Sequence, residues 1–213
     1  MIESEVTVDI RQVGALFTDF LSGREISLTE NSDGRLESLH SEDAVTSALR
    51  ERFGSNQSFT ILPKSHNRSF GDIDIQIGSK VYPINIKMVS ESTSTYNGGG
   101  PKVFQYVLLG KSGGTSWTSL VKRLSTARPK RILNEYFYLV MYKRSNRAPV
   151  FVSLTDIAPS SIVTNPSNPI QLKRELEITL RSEEEKASFI LGLFEDVLRK
   201  RAAPYLALKG LAV

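Results

Sequence analysis

The stretch Phe70-Gly-Asp-Ile-Asp-Ile-Gln-Ile-Gly-Ser-Lys-Val-Tyr-Pro-Ile-Asn-Ile-Lys87 decides how this chain is read. Ile73, Ile75 and Ile77 alternate with Asp72, Asp74 and Gln76, the period of a half-buried strand. Gly78-Ser79 supplies a tight turn. A second strand over Val81 to Val89 repeats the pattern, with Ile84, Ile86 and Met88 on one face and Asn85 and Lys87 on the other. Antiparallel pairing then gathers Asp72, Asp74, Asn85 and Lys87 on one polar surface: two acids, an amide and an ammonium.

That set suits phosphodiester cleavage. Carboxylate and amide oxygens fit a hard cation such as Mg2+, which keeps several waters and leaves room for phosphate. Such a cation polarises the phosphoryl oxygen and acidifies a bound water. A lysine beside it can orient that water and offset charge building up at phosphorus. An amphipathic hairpin with a merely solvated outer face has the same alternation, so the pattern alone does not choose.

The segment GDIDIQIGSKVYPINIK resembles the core of the PD-(D/E)xK nuclease superfamily, in which an acid on one strand is followed by acid-x-Lys on the next. Asp74, or Asp72 two residues along the same face, matches the first acid, and Lys87 matches the lysine. Asn85 departs from the pattern, since that position is usually Asp or Glu; a few restriction enzymes of the superfamily carry an amide there. The resemblance implies Mg2+ held by Asp74 and Asp72 with the backbone carbonyl of Ile86, Lys87 positioning the attacking water, and Asn85 as a neutral ligand or water-orienting group. It also implies a metal-assisting glutamate on the preceding helix, where Glu37 and Glu42 are the candidates. Glu91 is a further place to look if Asn85 lies outside the metal shell.

Around that hairpin, composition sets the class. At 213 residues, 40% hydrophobic and 23% charged, the chain reads as one domain spanning 1–213. No cysteine is present, which excludes disulfides and thiolate metal sites. The acidic Met-Ile-Glu-Ser-Glu start is unlike a basic signal peptide, and no apolar run is long enough to span a bilayer; a cytoplasmic location, with no membrane partner, is expected. The net charge of +4 conceals an asymmetry. Between residues 92 and 155 stand Lys102, Lys111, Lys122, Arg123, Arg128, Lys130, Arg131, Lys143, Arg144 and Arg147 against the single acid Glu135. So one-sided a block fits a polyanion-binding surface.

Along the chain, periodicity predicts helices over 3–21 and about 35–53, and Phe59 to Leu62 reads as a strand. Lys64, Asn67 and Arg68 lead into the hairpin as candidate phosphate contacts. His40 and His66 have no second His or Cys at zinc-ligand spacing and are read as bystanders. After Lys87, residues 90–101 form either a flexible loop or a groove-reading segment, with Tyr96, Asn97 and Lys102 as its DNA-contacting candidates. Val103 to Leu109 is a strand or short helix. Gly110-Lys-Ser-Gly-Gly114 lacks the spacing of a phosphate-binding loop, which excludes a nucleotide cofactor. Ser116 caps a helix over 117–126, and Lys111, Lys122, Arg123 and Arg128 are the basic candidates for phosphate. Glu135 to Tyr142 is an apolar central strand and Val150 to Leu154 another. Asn165 to Leu172 is similar to a late segment of several type II restriction endonucleases. Ser182-Glu-Glu-Glu185 opens a last helix, with Arg199-Lys-Arg201 at its C-terminal end.

The expectation is an α/β fold with a mixed central sheet flanked by helices, as in restriction endonucleases. The expected activity is Mg2+-dependent, site-specific cleavage of double-stranded DNA, by a homodimer because two strands need two sites. A structure-selective resolvase or repair nuclease, and a DNA-binding protein whose cleavage site has decayed, are the alternatives.

Overall fold

The computed structural model describes residues 8–24, 34–62, 70–110, 116–143 and 145–209, with the side chains of the second span described from His40 onward. They form helices α1 (Ile10–Leu21), α2 (Gly34–Phe53), α3 (Pro101–Leu109), α4 (Trp117–Ala127) and α5 (Glu183–Leu208). The strands are β1 (Thr60–Leu62), β2 (Ile73–Ile77), β3 (Lys80–Val89), β4 (Thr95–Gly99), β5 (Phe137–Tyr142), β6 (Val150–Ser153), β7 (Ile162–Thr164) and β8 (Ile170–Lys173). The chain divides into two compact units, residues 1–92 with 137–152, and residues 93–136 with 153–213.

The first unit carries a five-stranded sheet in the order β1-β2-β3-β5-β6, so β3 is its middle strand. β1, β2 and β3 pair antiparallel, whereas β3 and β5 run parallel from Ile84↔Phe137 to Val89↔Tyr142. The sheet is therefore mixed and the fold α/β, as expected. The β2–β3 hairpin closes through Gly78-Ser79, where Gly78 takes a φ of 56° that costs a glycine little. Ile73, Ile75, Ile84, Ile86, Phe137 and Leu139 form one face of the sheet and bury themselves against α1 and α2. From α1 come Ile10, Val13, Phe17 and Leu21, spaced one helical turn apart, and from α2 Val45, Leu49 and Phe53. Gly14 lets α1 approach closely, since a Cβ there would sit inside the ring of Phe151.

Pro83 lies within β3 yet costs no ladder bond. Lys143 donates its N–H to the carbonyl of Val89, so odd-numbered residues of β3 turn their backbone groups toward β5. Pro83 stands one residue before that parallel pairing begins, where the missing N–H has no partner to lose.

The second unit carries an antiparallel sheet in the order β4-β8-β7, with α3, α4 and α5. Phe194 of α5 stacks on Trp117 at 5.8 Å and meets Phe104 edge-on at 5.3 Å. Lys186 is buried and bonded to Glu135 at 3.4 Å and Glu183 at 2.7 Å. Among the described residues, no helix is long and apolar enough to cross a membrane.

Three sequence expectations change, and one open choice is decided. The first helix starts at Ile10 because Asp9 and Gln12 form a capping box, leaving Val8 and Asp9 outside it. Residues 90–101 are not simply a loop: β4 lies within them, paired to β8, and Gly98 is packed so closely that a Cβ would stand 2.9 Å from both Ile170 and Leu172. Val103 to Leu109 is helical, opened by Gly100 and by Pro101 in the first turn. Arg199, Lys200 and Arg201 are not at a helix end, since α5 continues through Pro204 to Leu208. Lys200 instead pairs with Asp196 at 2.9 Å, and Arg201 lies over the ring of Trp117.

Candidate active site

The site grows out of the place where β2 begins. Asp72 lies just before the strand, and its N–H donates to the carbonyl of Ile84 at 2.9 Å. Beyond that point β2 has no residue to offer the next free donor of β3, the N–H of Ile86. The carboxylate of Asp72 takes that donor instead, Oδ2 accepting from Ile86 at 2.8 Å. A backbone N–H bound to a carboxylate is a charge-assisted bond, stronger than the ladder bond it replaces. One side chain thus continues the sheet for one more rung. Its other oxygen, Oδ1, accepts no hydrogen bond among the described residues. The carbonyl of a strand residue projects to the same edge as its N–H, so that of Ile86 lies on the Asp72 edge.

Lys87 follows immediately, on the face opposite the isoleucine core. Across the parallel ladder it stands beside Val140, and Asn85 beside Tyr138, both of those β5 residues fully buried. That apolar flank removes water from the ammonium, and burial pushes the Lys87 pKa below the ordinary lysine value. The negative charge of Asp72, and then that of Glu42 on α2, act in the opposite direction and only partly restore it. Glu42 is half-buried, three residues before Val45 in the core.

The sequence-predicted residues separate on this geometry. Asp72, Ile86 and Lys87 come together, with Asn85 next along the same face of β3. Asp74 does not join them as closely: it faces Pro83 across the hairpin, four residues and about 13 Å along β3 from Lys87. Of the two candidate glutamates on the preceding helix, Glu42 lies where its charge acts on Lys87, and the side chain of Glu37 lies outside the described residues. Glu91 is exposed in the turn after β3. Among the described residues no three His, Cys, Asp or Glu side chains converge. The donors at hand are one anchored carboxylate, a main-chain carbonyl and an amide. That all-oxygen set fits Mg2+, which takes one or two carboxylates and keeps its waters, better than Zn2+.

The candidate DNA-contacting residues scatter. Lys64, Asn67 and Arg68, with His66, and also Lys111 lie outside the described residues. His40 is exposed on α2. In the second unit Tyr96 and Asn97 sit in β4, where Asn97 Oδ1 accepts from the Gly99 N–H at 2.9 Å, and Lys102 is exposed on α3. Lys122, Arg123 and Arg128 belong to α4 and its cap; Lys122 and Arg128 are exposed and Arg123 half-exposed. Arg128 ends α4 in the left-handed conformation (φ 42°, ψ 59°), and Lys130 and Arg131 continue the exposed basic run. The side chains of Lys122, Arg128, Lys130 and Arg131 make no hydrogen bond or ion pair with the described residues. Three other cations of this unit are held within it: Lys186 and Lys200 are in ion pairs, and Arg181 donates to the carbonyls of Thr155 and Ile157.

The sequence matches no protein-family model and no curated protein. Two features escaped the sequence reading. Asp72 bonds the Ile86 N–H while Asp74 stands opposite Pro83, a distinction that alternation cannot make because both lie on one face. Gly71 is the second; its signal was the glycine placed directly before the acid.

Proposed function

We propose that this chain is a Mg2+-dependent endonuclease that hydrolyses phosphodiester bonds of double-stranded DNA at a specific site, acting in the cytoplasm as a homodimer. The observation that supports it best is Asp72 bonded through Oδ2 to the Ile86 N–H, with the half-buried Lys87 one residue further on. An ordinary solvated hairpin has no need of a lysine carried into an apolar flank, where its charge is costly.

In this reading Asp72 and the Ile86 carbonyl hold Mg2+, Asn85 adds a neutral oxygen, and Asp74 is auxiliary. The cation, when bound, acidifies a water and polarises the phosphoryl oxygen. Lys87 orients the attacking water and balances negative charge gathering at phosphorus. Its pKa, lowered by burial, makes it a readier proton donor than an ordinary lysine. The negative charges of Asp72 and then Glu42 act against that lowering. Lys122, Arg128, Lys130 and Arg131 draw the DNA backbone to the second unit.

Incubating the protein with supercoiled plasmid and Mg2+ tests this. Discrete linear fragments are the expected product. Cutting confined to a cruciform would point to a junction resolvase, and binding without cutting to a DNA-binding protein with a decayed site, which Asn85 in place of an acid makes the leading alternative.

A further inference from the structure

We propose that Gly71 is a positioning residue, which holds the Asp72 carboxylate against β3 by letting the backbone before β2 touch the backbone of β3. The inference rests on the nuclease reading for its catalytic consequence and on geometry alone for the rest.

Gly71 is buried, and its φ is outside the left-handed region, so it is not a glycine for conformational reasons. It is a glycine for want of space. A Cβ built there would lie 2.7 Å from the nitrogen of Ile84, 2.7 Å from its carbonyl oxygen, and 3.0 Å from the carbonyl oxygen of Ile73. All three are backbone atoms, so no rotamer change can relieve the contact. Ile84 is itself immovable in practice: fully buried, in the middle strand, laddered to β2 on one side and β5 on the other. A side chain at position 71 therefore displaces the 70–72 segment and leaves β3 where it is.

The displaced segment carries both bonds of Asp72, the main-chain one to Ile84 and the carboxylate one to Ile86. A hydrogen bond of 2.8–2.9 Å does not survive a shift of about an ångström. The acid then swings away from the Ile86 carbonyl edge and from Lys87 together.

The test uses the full chain with Gly71→Ala, Asp72→Asn and Asp72→Ala, reading amide hydrogen exchange at Ile86 and cleavage of plasmid in Mg2+. In Gly71→Ala, Ile86 exchange should rise about tenfold, as for loss of one hydrogen bond, while the amides shared by β3 and β5 stay protected. The turnover number should fall about a hundredfold with little change in KM for DNA, the mark of a misplaced catalytic group rather than a weakened fold. Asp72→Asn keeps an oxygen for the Ile86 N–H and should preserve its protection while losing cleavage; Asp72→Ala should lose both. Unchanged Ile86 exchange in Gly71→Ala overturns the proposal. So does full protection in Asp72→Ala, a result that stands even if Gly71→Ala does not fold. Faster Ile86 exchange in both Gly71→Ala and Asp72→Ala, in a protein that cuts no DNA, would uphold the positioning and reject the nuclease.

Discussion

Lys87 is the residue on which most turns, because its environment works against its own charge. Replacing it with methionine keeps the length and removes the ammonium from its apolar flank. Lys87→Met should therefore raise folding stability at neutral pH, by about 1 kcal/mol, while lowering any cleavage rate by at least about a hundredfold. The pH dependence has a definite sign. The folded-state pKa is below the unfolded one, so the unfolded chain binds the proton more readily and the wild type is penalised at neutral pH. The penalty fades as pH climbs from the folded value toward about 10.4. Urea melts of both proteins across that range should converge at the alkaline end; a wild type more stable than the variant at pH 7 would refute the account. The two aspartates provide a second comparison. Asp72→Asn should depress cleavage far more than Asp74→Asn, since only Asp72 sits on the Ile86 edge. Equal losses measured in parallel digests would mean that both acids reach the metal.

At the level of elements, α5 and β7 are tied by a polar junction whose strength can be read by titration. The Thr164 hydroxyl donates to Asp196, and Lys200 bonds both Asp196 and Thr164 Oγ1, the latter at 2.6 Å. The Thr164 hydrogen bond first, and Lys200 after it, hold the Asp196 carboxyl below the usual aspartate range. A depressed carboxylate stabilises the fold above its unfolded pKa of about 3.9, and that contribution disappears as pH falls through the folded value. Asp196→Asn should thus melt at lower temperature than wild type at pH 7, and the difference should shrink in acid. A constant difference down to pH 2 would show that packing, not charge, binds the two elements. This junction was not legible in the sequence, because Thr164 and Asp196 are 32 residues apart and neither belongs to a periodic pattern. The hairpin was legible, because alternation, a Gly-Ser turn and a buried isoleucine face all agree. The helical state of Val103 to Leu109 fell between. Its apolar run suits a strand as well as a helix, and the decision lay in Gly100-Pro101 at its start.

For the whole molecule, the exposed cations of the second unit divide by partner. A cation already held within the protein adds little to phosphate neutralisation, whereas one without a partner displaces counterions from the DNA. Removing Lys122 and Arg128 should reduce the dependence of log affinity on log salt by roughly 0.9 per charge. Removing Lys200 and Arg201 should leave it alone, because they are held by Asp196 and by the Trp117 ring. Filter binding over a salt series measures both slopes; a large change in the second would put DNA on α5. The sequence exposed the charge block but not this division, since the contact of Arg201 with Trp117 joins residues far apart in the chain.

The parallel pairing of β3 with β5 has a consequence for how the chain becomes competent during synthesis. The hairpin is local and can form within microseconds of emerging. Its parallel partner comes only after the whole run from Ser90 to Tyr136 has been made, and joining distant segments is the slow part of folding for sheets of high contact order. Until Phe137–Tyr142 docks, Val140 is absent and Lys87 is an ordinary hydrated lysine. The nascent protein therefore carries the residues of its proposed chemistry well before it carries the environment that tunes them. A chain released early from the ribosome, ending before β5, would keep the hairpin and lack the tuned lysine.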